Sequence, residues 1–197
     1  MRPFRVLTFN VRREGEEHDA GDLWEARRQP VVDLIRSSGA SIVGLQEVGP
    51  SQLAFLADAL SPAYVFVGEG READRGGESS PIFVCSRDFE VRRHETLWLS
   101  ATPEEPGSKS AGALCPRVVT CVELHQHEGG SLCCFNTHLD HCGLKDASPT
   151  CLVQGEQALV LTQLADRFCG PSSKYVFVST SMCDPSPMSI VSYIPKS

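Results

Sequence analysis

The residues of this chain that could do chemistry gather where apolar runs end. Phe135-Asn136-Thr137-His138-Leu139-Asp140-His141 follows the run Leu132-Cys133-Cys134, and five of its seven residues are polar, two of them histidines. Leu7-Thr8-Phe9 delivers Asn10, and Ile42-Val43-Gly44-Leu45 delivers Gln46-Glu47. Asn10 and Asn136 are the only two asparagines in the chain, and each closes an apolar run. Strand ends are where a β-scaffold holds side chains rigidly beside solvent. Singly, each residue has a plain structural reading. An asparagine there closes a turn, Glu47 is a solvated carboxylate, and His138 is a hydrogen-bonded structural histidine. Together, a carboxylate, an amide and a histidine suit metal-assisted hydrolysis of a phosphate ester. A hard cation such as Mg²⁺ takes oxygen ligands and needs one or two protein carboxylates. It neutralises charge on the phosphoryl oxygens, and a neighbouring histidine can donate a hydrogen bond or a proton.

Positioning these residues requires several strands and helices. Residues Arg5 to Phe9, Ile42 to Leu45, Tyr64 to Val67, Pro81 to Cys85, Phe89 to Leu99, Val118 to Leu124, Leu132 to Phe135 and Tyr175 to Val178 read as strands. Trp24 to Ser37 has helical spacing with Gly39 as a stop signal, and Pro30 predicts that the regular helix begins near Arg28. Ser51 to Leu60 and Leu152 to Phe168 are further helices. Strand and helix alternate early, antiparallel-looking strands follow, and the order then returns to strand, helix, strand. That is a mixed α/β sandwich rather than a doubly wound parallel sheet. No internal repeat is present. Pro185, Pro187 and Pro195 among serines predict a poorly ordered tail over 185–197, after one domain spanning 1–184.

The chain has 197 residues, 41% of them hydrophobic and 22% charged, which suits one domain with a substantial core. Its net charge of −7 disfavours duplex nucleic acid without a basic patch or a bound cation. There is no apolar run long enough to span a membrane and no signal-peptide pattern, so the expected location is cytoplasmic or nuclear. The nine cysteines form no Cys-x-x-Cys and lie mostly in apolar runs, where thiols act as small hydrophobes.

The chain resembles the endonuclease/exonuclease/phosphatase superfamily of metal-dependent phosphoesterases. The matching segments are Arg5-Val6-Leu7-Thr8-Phe9-Asn10-Val11-Arg12, Ile42-Val43-Gly44-Leu45-Gln46-Glu47-Val48 and Phe135 to His141. Trp24-Glu25-Ala26-Arg27-Arg28 and Glu78-Ser79-Ser80-Pro81-Ile82-Phe83 look like one branch of it. The resemblance implies a DNase I-like fold of class α/β (α+β): a four-layer α/β/β/α sandwich of two mixed, mainly antiparallel sheets, here lacking the last strands. It implies that Glu47 is the metal ligand for Mg²⁺ (or Mn²⁺), with Asn10 supporting the metal or the phosphate. His138, Asp140 and Asn10 form the catalytic set, and Ser80, Asn136 and His141 face the substrate. That substrate is a phosphate ester, either nucleic acid or a small phosphorylated molecule, and the protein is expected to act as a monomer.

The sequence also departs from the family pattern. Where the family carries Gly-Asp-Phe-Asn after its late strand, Ser181 and Cys183 stand in the Asp and Asn registers, and Asp184 is offset. The terminal Asp-His pair is absent, so the chain reads as C-terminally incomplete, with weak or lost activity and an exposed sheet edge. A non-catalytic binding protein on the same scaffold is the alternative. A zinc site built from His125, His127, His138, His141 and Cys142 is a lesser one.

Overall fold

The computed structural model describes residues 1–15, 19–140, 149–170, 174–179 and 188–193. The described residues form nine strands and three α-helices. In chain order they are β1 (Phe4–Asn10), α1 (Trp24–Ser38), β2 (Ile42–Gln46), α2 (Pro50–Leu60), β3 (Tyr64–Val67), β4 (Ile82–Cys85), β5 (Phe89–Trp98), β6 (Val118–Gln126), β7 (Ser131–Thr137), α3 (Pro149–Phe168), β8 (Lys174–Ser179) and β9 (Met188–Tyr193). One sheet has the order β3-β4-β2-β1-β9 and the other β5-β6-β7-β8. β1–β2 and β7–β8 are parallel, and the remaining pairs are antiparallel. The architecture is the expected mixed, mainly antiparallel pair of sheets. Among the described residues no helix is long and apolar enough to cross a membrane.

The pleat sorts each strand into two faces. On β1 and β2, Leu7, Val43 and Leu45 point outward and pack under Val31, Ile35 and Leu56 of α1 and α2. The alternate residues, Val6 and Ile42, point inward and meet Val122, Leu124, Cys134 and Val178 of the second sheet. The outer face of that sheet, with Cys121, Cys133 and Phe135, is covered by Leu164, Ala165 and Phe168 of α3. The result is four layers: helices, sheet, sheet, helix.

Two local features differ from expectation. α1 starts at Trp24 and carries Pro30 inside it. Tertiary contacts hold its first turns: Trp24 is buried and packs edge-on against Phe55, while Arg27 donates to the Val11 and Asp22 carbonyls. These outweigh the local cost of the proline. The helix ends at Gly39, whose φ of 62° is the left-handed cap that the sequence predicts. The second difference is β9. Within the expected tail over 185–197, Met188–Tyr193 forms a strand antiparallel to β1, and the rest of the tail lies outside the described residues. Flanking prolines marked this stretch as irregular, but the six residues between them hold no proline and include Ile190, Val191 and Tyr193, which suit a pleated edge. Along Phe4 to Phe9, the β1 edge is therefore paired.

The sheets approach each other closely at Gly44. A Cβ built there would lie 2.4 Å from Val178 Cγ1 and 2.9 Å from Asn136 Cγ. Asn136 is fully buried and stitches the layers together: its Nδ2 donates to the Leu45 and Pro81 carbonyls at 2.8 Å each, and its Oδ1 accepts from Gln46 Nε2 at 2.7 Å. Gly44→Ala is predicted to push the sheets apart and destabilise the fold by about 1–3 kcal/mol, the usual cost of overpacking. Urea denaturation of the wild type and variant measures it, and an unchanged midpoint would show that the gap yields freely.

Candidate active site

Face parity explains why three distant segments meet. Thr8 and Asn10 on β1, Gly44 and Gln46 on β2, and Cys134 and Asn136 on β7 share the inward phase of their strands. Gln46 Nε2 reaches both Thr8 Oγ1, at 3.2 Å, and Asn136 Oδ1. The amide bridge fixes the ends of β1, β2 and β7 side by side. The residues that leave those ends, Asn10, Glu47 and His138, consequently share one locale.

Glu47 would face outward if the pleat continued. Instead its φ is 59°, a left-handed conformation that a non-glycine residue adopts at a cost on the order of 1–3 kcal/mol. That reversal turns the carboxylate inward. Asn10 Nδ2 donates to Glu47 Oε1 at 2.7 Å, and His138 Nε2 lies 3.4 Å from the same oxygen. The Arg13 N–H donates to Glu47 Oε2 at 3.3 Å. A second left-handed residue, Arg12 at φ 58°, makes this possible by folding the backbone beyond β1 back on itself. Its N–H donates to Asn10 Oδ1 at 2.9 Å, two residues back. Asn10 thus closes a turn and grips Glu47 at once, so its structural and chemical readings describe one arrangement. The first turn of α2 steadies the same loop, since Gln52 Nε2 donates to the Arg12 carbonyl and Gln52 Oε1 accepts from the Glu14 N–H.

The site holds Glu47 ionised. Burial works against the charge, but the hydrogen bonds from His138 and Asn10, the His138 charge and the Arg13 N–H outweigh it and pull the pKa from 4.5 to about 2. His138 is 4% exposed, and its Nδ1 is buried with no partner. Glu47 Oε1 is occupied by Asn10 and His138, whereas Oε2 meets one backbone N–H and keeps lone-pair capacity. One ionised carboxylate with an amide beside it fits a hard cation that fills its remaining positions with water or phosphate. Among the described residues no group of three or more His, Cys, Asp or Glu gathers as a metal site. His125 and His127 are engaged elsewhere, with Ser131 Oγ and the Ser86 carbonyl.

The remaining predicted residues are distributed differently. Asn136 is fully buried, and its side chain bonds across the sheets to the Leu45 and Pro81 carbonyls. Ser80 is buried, and its carbonyl accepts from Thr120 Oγ1 at 2.7 Å. Asp140 is 3% exposed, and its Oδ1 accepts from Arg117 Nη2 at 3.1 Å. His141, Cys142, Ser181, Cys183 and Asp184 lie outside the described residues. Sequence reasoning passed over Gln46 and Arg117. The available signal was a polar residue at an inward strand position, in Gln46, and a lone arginine before a buried strand, in Arg117. A cavity of about 420 Å³ adjoins Asn10 between β1 and α1, floored by Phe9, Val31 and Leu34. A larger one of about 550 Å³ lies at the opposite end of β1, around Arg2, Arg5 and His127, away from this chemistry.

Residues 7–112 match the Endonuclease/Exonuclease/phosphatase family. Among solved structures, an endonuclease/exonuclease/phosphatase from Bacteroides vulgatus is similar at 28% identity and a TM-score of 0.75, covering 85% of this chain and 61% of its own. The mannosyl-6-phosphatase of Bacteroides thetaiotaomicron is similar at 28% identity and a TM-score of 0.78, covering 89% of this chain and 64% of its own. A functionally unknown conserved protein from Enterococcus faecalis reaches 25% identity and a TM-score of 0.77, covering 89% of this chain and 65% of its own. The chain thus spans less than two thirds of the length of each. Comparison with curated protein sequences returns no match.

The depressed Glu47 pKa has a direction. Its contribution to stability is fully present above the ordinary value of 4.5 and is lost as pH falls through about 2. At neutral pH, Glu47→Gln is predicted to be less stable than wild type by on the order of 2–3 kcal/mol. That gap should close as the pH is lowered between 4.5 and 2. Denaturant titrations across this range test it; a gap independent of pH would show that Glu47 is not held ionised by its neighbours.

Proposed function

Because the chain belongs to the endonuclease/exonuclease/phosphatase family, we propose that it hydrolyses phosphate esters with the help of a divalent cation, Mg²⁺ or Mn²⁺. The observation that carries this reading is the convergence of Asn10, Glu47 and His138 from three strand exits, with Glu47 held ionised. Glu47 would hold the cation, with Asn10 beside it, and when bound the cation supplies neutralisation of charge on the phosphoryl oxygens. Asn10 fixes the carboxylate through its amide and keeps one oxygen turned to the backbone of Arg12. His138 contacts the scissile phosphate and holds a proton at the edge of the site. Such a group contributes about 10²–10⁴-fold in rate. Its burial limits access of bulk water to the imidazole.

The substrate class follows from charge and likeness. A net charge of −7 disfavours long duplex nucleic acid. The likeness to a mannosyl-6-phosphatase favours a small phosphorylated molecule such as a sugar phosphate. Turnover is weak, because one carboxylate stands at the site among the described residues, and Ser181 and Cys183 replace the family's Asp and Asn. The same replacements favour the second reading, a non-catalytic phosphate-binding protein on this scaffold acting as a monomer in the cytoplasm or nucleus.

The test is Mg²⁺-dependent phosphate release from mannose 6-phosphate, with bis(p-nitrophenyl) phosphate as a diester control. Slow release is expected, abolished by EDTA and lowered about 10²–10⁴-fold by His138→Ala, with a comparable loss for Glu47→Ala. Turnover indifferent to both EDTA and Glu47→Ala would overturn the hydrolase reading. Saturable binding of mannose 6-phosphate without turnover would favour the binding protein.

A further inference from the structure

A line of buried and half-buried charges runs beside the site without entering it. Asp140 lies two residues beyond His138, and Arg117 Nη2 donates to its Oδ1 at 3.1 Å. Arg117 Nη1 lies 3.9 Å from Glu78 Oε1, which in turn pairs with Arg71 Nη1 at 2.9 Å. Glu78 directly precedes Ser79, which exchanges backbone hydrogen bonds with Val48 at 3.2 and 2.8 Å. Val48 directly follows Glu47. One guanidinium therefore sits between the two strand exits that bring His138 and Glu47 together.

The segment carrying Asp140 is gripped from α3 as well. Gln157 Oε1 accepts from the Asp140 N–H at 2.9 Å, and Gln154 Nε2 donates to the Asp140 carbonyl. Arg117 itself is held in place: its carbonyl accepts from the Leu99 N–H, and it directly precedes β6. Arg117 and Asp140 are 7% and 3% exposed. Desolvating such a pair costs several kcal/mol per ion before attraction is counted. A pairing that served packing alone would be expected to saturate its donors, yet Arg117 Nε is buried with no partner.

Resting on the reading of Glu47 and His138 as the reacting pair, we infer that Arg117 is a positioning residue, which locks the β7 exit through Asp140 and the β2 exit through Glu78 so that His138 is held against Glu47. Its fork is what the task needs, because a lysine offers one point charge and cannot address two carboxylates with separate nitrogens. Arg117 touches neither Glu47 nor His138 among the contacts described; it acts through Asp140 and Glu78.

Three variants test the inference: Arg117→Lys, Arg117→Met, and Arg117→Met combined with Asp140→Leu. In the last no charge is left unpaired at Asp140, so it serves if the single Arg117→Met variant does not fold. Phosphate release from mannose 6-phosphate with Mg²⁺ is the first readout. Misplacement by about 1 Å can cost 10²-fold in rate, so kcat should fall about that far in the Met variants while KM stays within about twofold, with Arg117→Lys recovering part of the loss. The second readout is the His138 ring resonance at fixed pH, identified by its absence in His138→Gln. It should shift and broaden in the folded Met variants. A folded variant with unchanged kcat and an unmoved His138 resonance would overturn the inference. If the wild type shows no turnover, the hydrolase reading fails separately, and the resonance alone decides whether Arg117 positions His138.

Discussion

The site depends on one buried amide contact. Gln46 on β2 and Asn136 on β7 meet between the sheets, and Asn136 also binds the Leu45 and Pro81 carbonyls. Two sheets packed by apolar side chains alone would keep some freedom to slide, because hydrophobic contact is non-directional. Hydrogen bonds in a dry interior are directional and costly to break, so they fix register. Sliding the sheets would leave the Asn136 and Gln46 amides buried and unpaired, at about 1–3 kcal/mol for each lost partner. The ends of β2 and β7 are therefore held together, and Glu47 and His138 inherit their separation from that constraint. Gly44 is the steric counterpart, since no side chain larger than hydrogen fits where Asn136 and Val178 approach.

Backbone strain is concentrated at the same place. Arg12, Glu47 and Arg75 are the described non-glycine residues with positive φ, and two of these three border the site. One turns backbone N–H groups toward Asn10 and Glu47, and the other turns the Glu47 carboxylate into the gap between the sheets. Strained residues persist where surrounding contacts over-determine them. Here the contacts are plain: α2 holds the loop after β1 through Gln52, and Ser79 holds Val48. The stable parts of the fold carry the cost of a carboxylate aimed against its pleat.

Most strands and helices were legible because their apolar period is strong, and Asn10, Glu47 and His138 stood out as polar residues where such runs stop. Tertiary context decided the rest. Asn136 carries the same local signal as Asn10, yet one is interior and the other borders the site. The difference lies in how closely the sheets approach at Gly44, which no local pattern encodes. The motif names Asp140 but not its partner, because Arg117 lies 23 positions away along the chain. Pro30 predicts a later helix start and the prolines around β9 a poorly ordered tail, and in both places packing or pairing with a distant segment prevails.

The pairing of β9 with β1 reaches further than the sheet it widens. Phe4 faces Tyr193 and Phe9 faces Met188, so the first and last described strands are neighbours in space and nearly the whole described chain apart in sequence. Contacts of such long range delay folding, because the entropy of closing the loop must be met before the pairing rewards it. During synthesis β1 emerges long before β9, leaving a bare strand edge on the nascent chain over that interval. Until β9 arrives, the outer edge of β1 is open to pairing with any other extended segment.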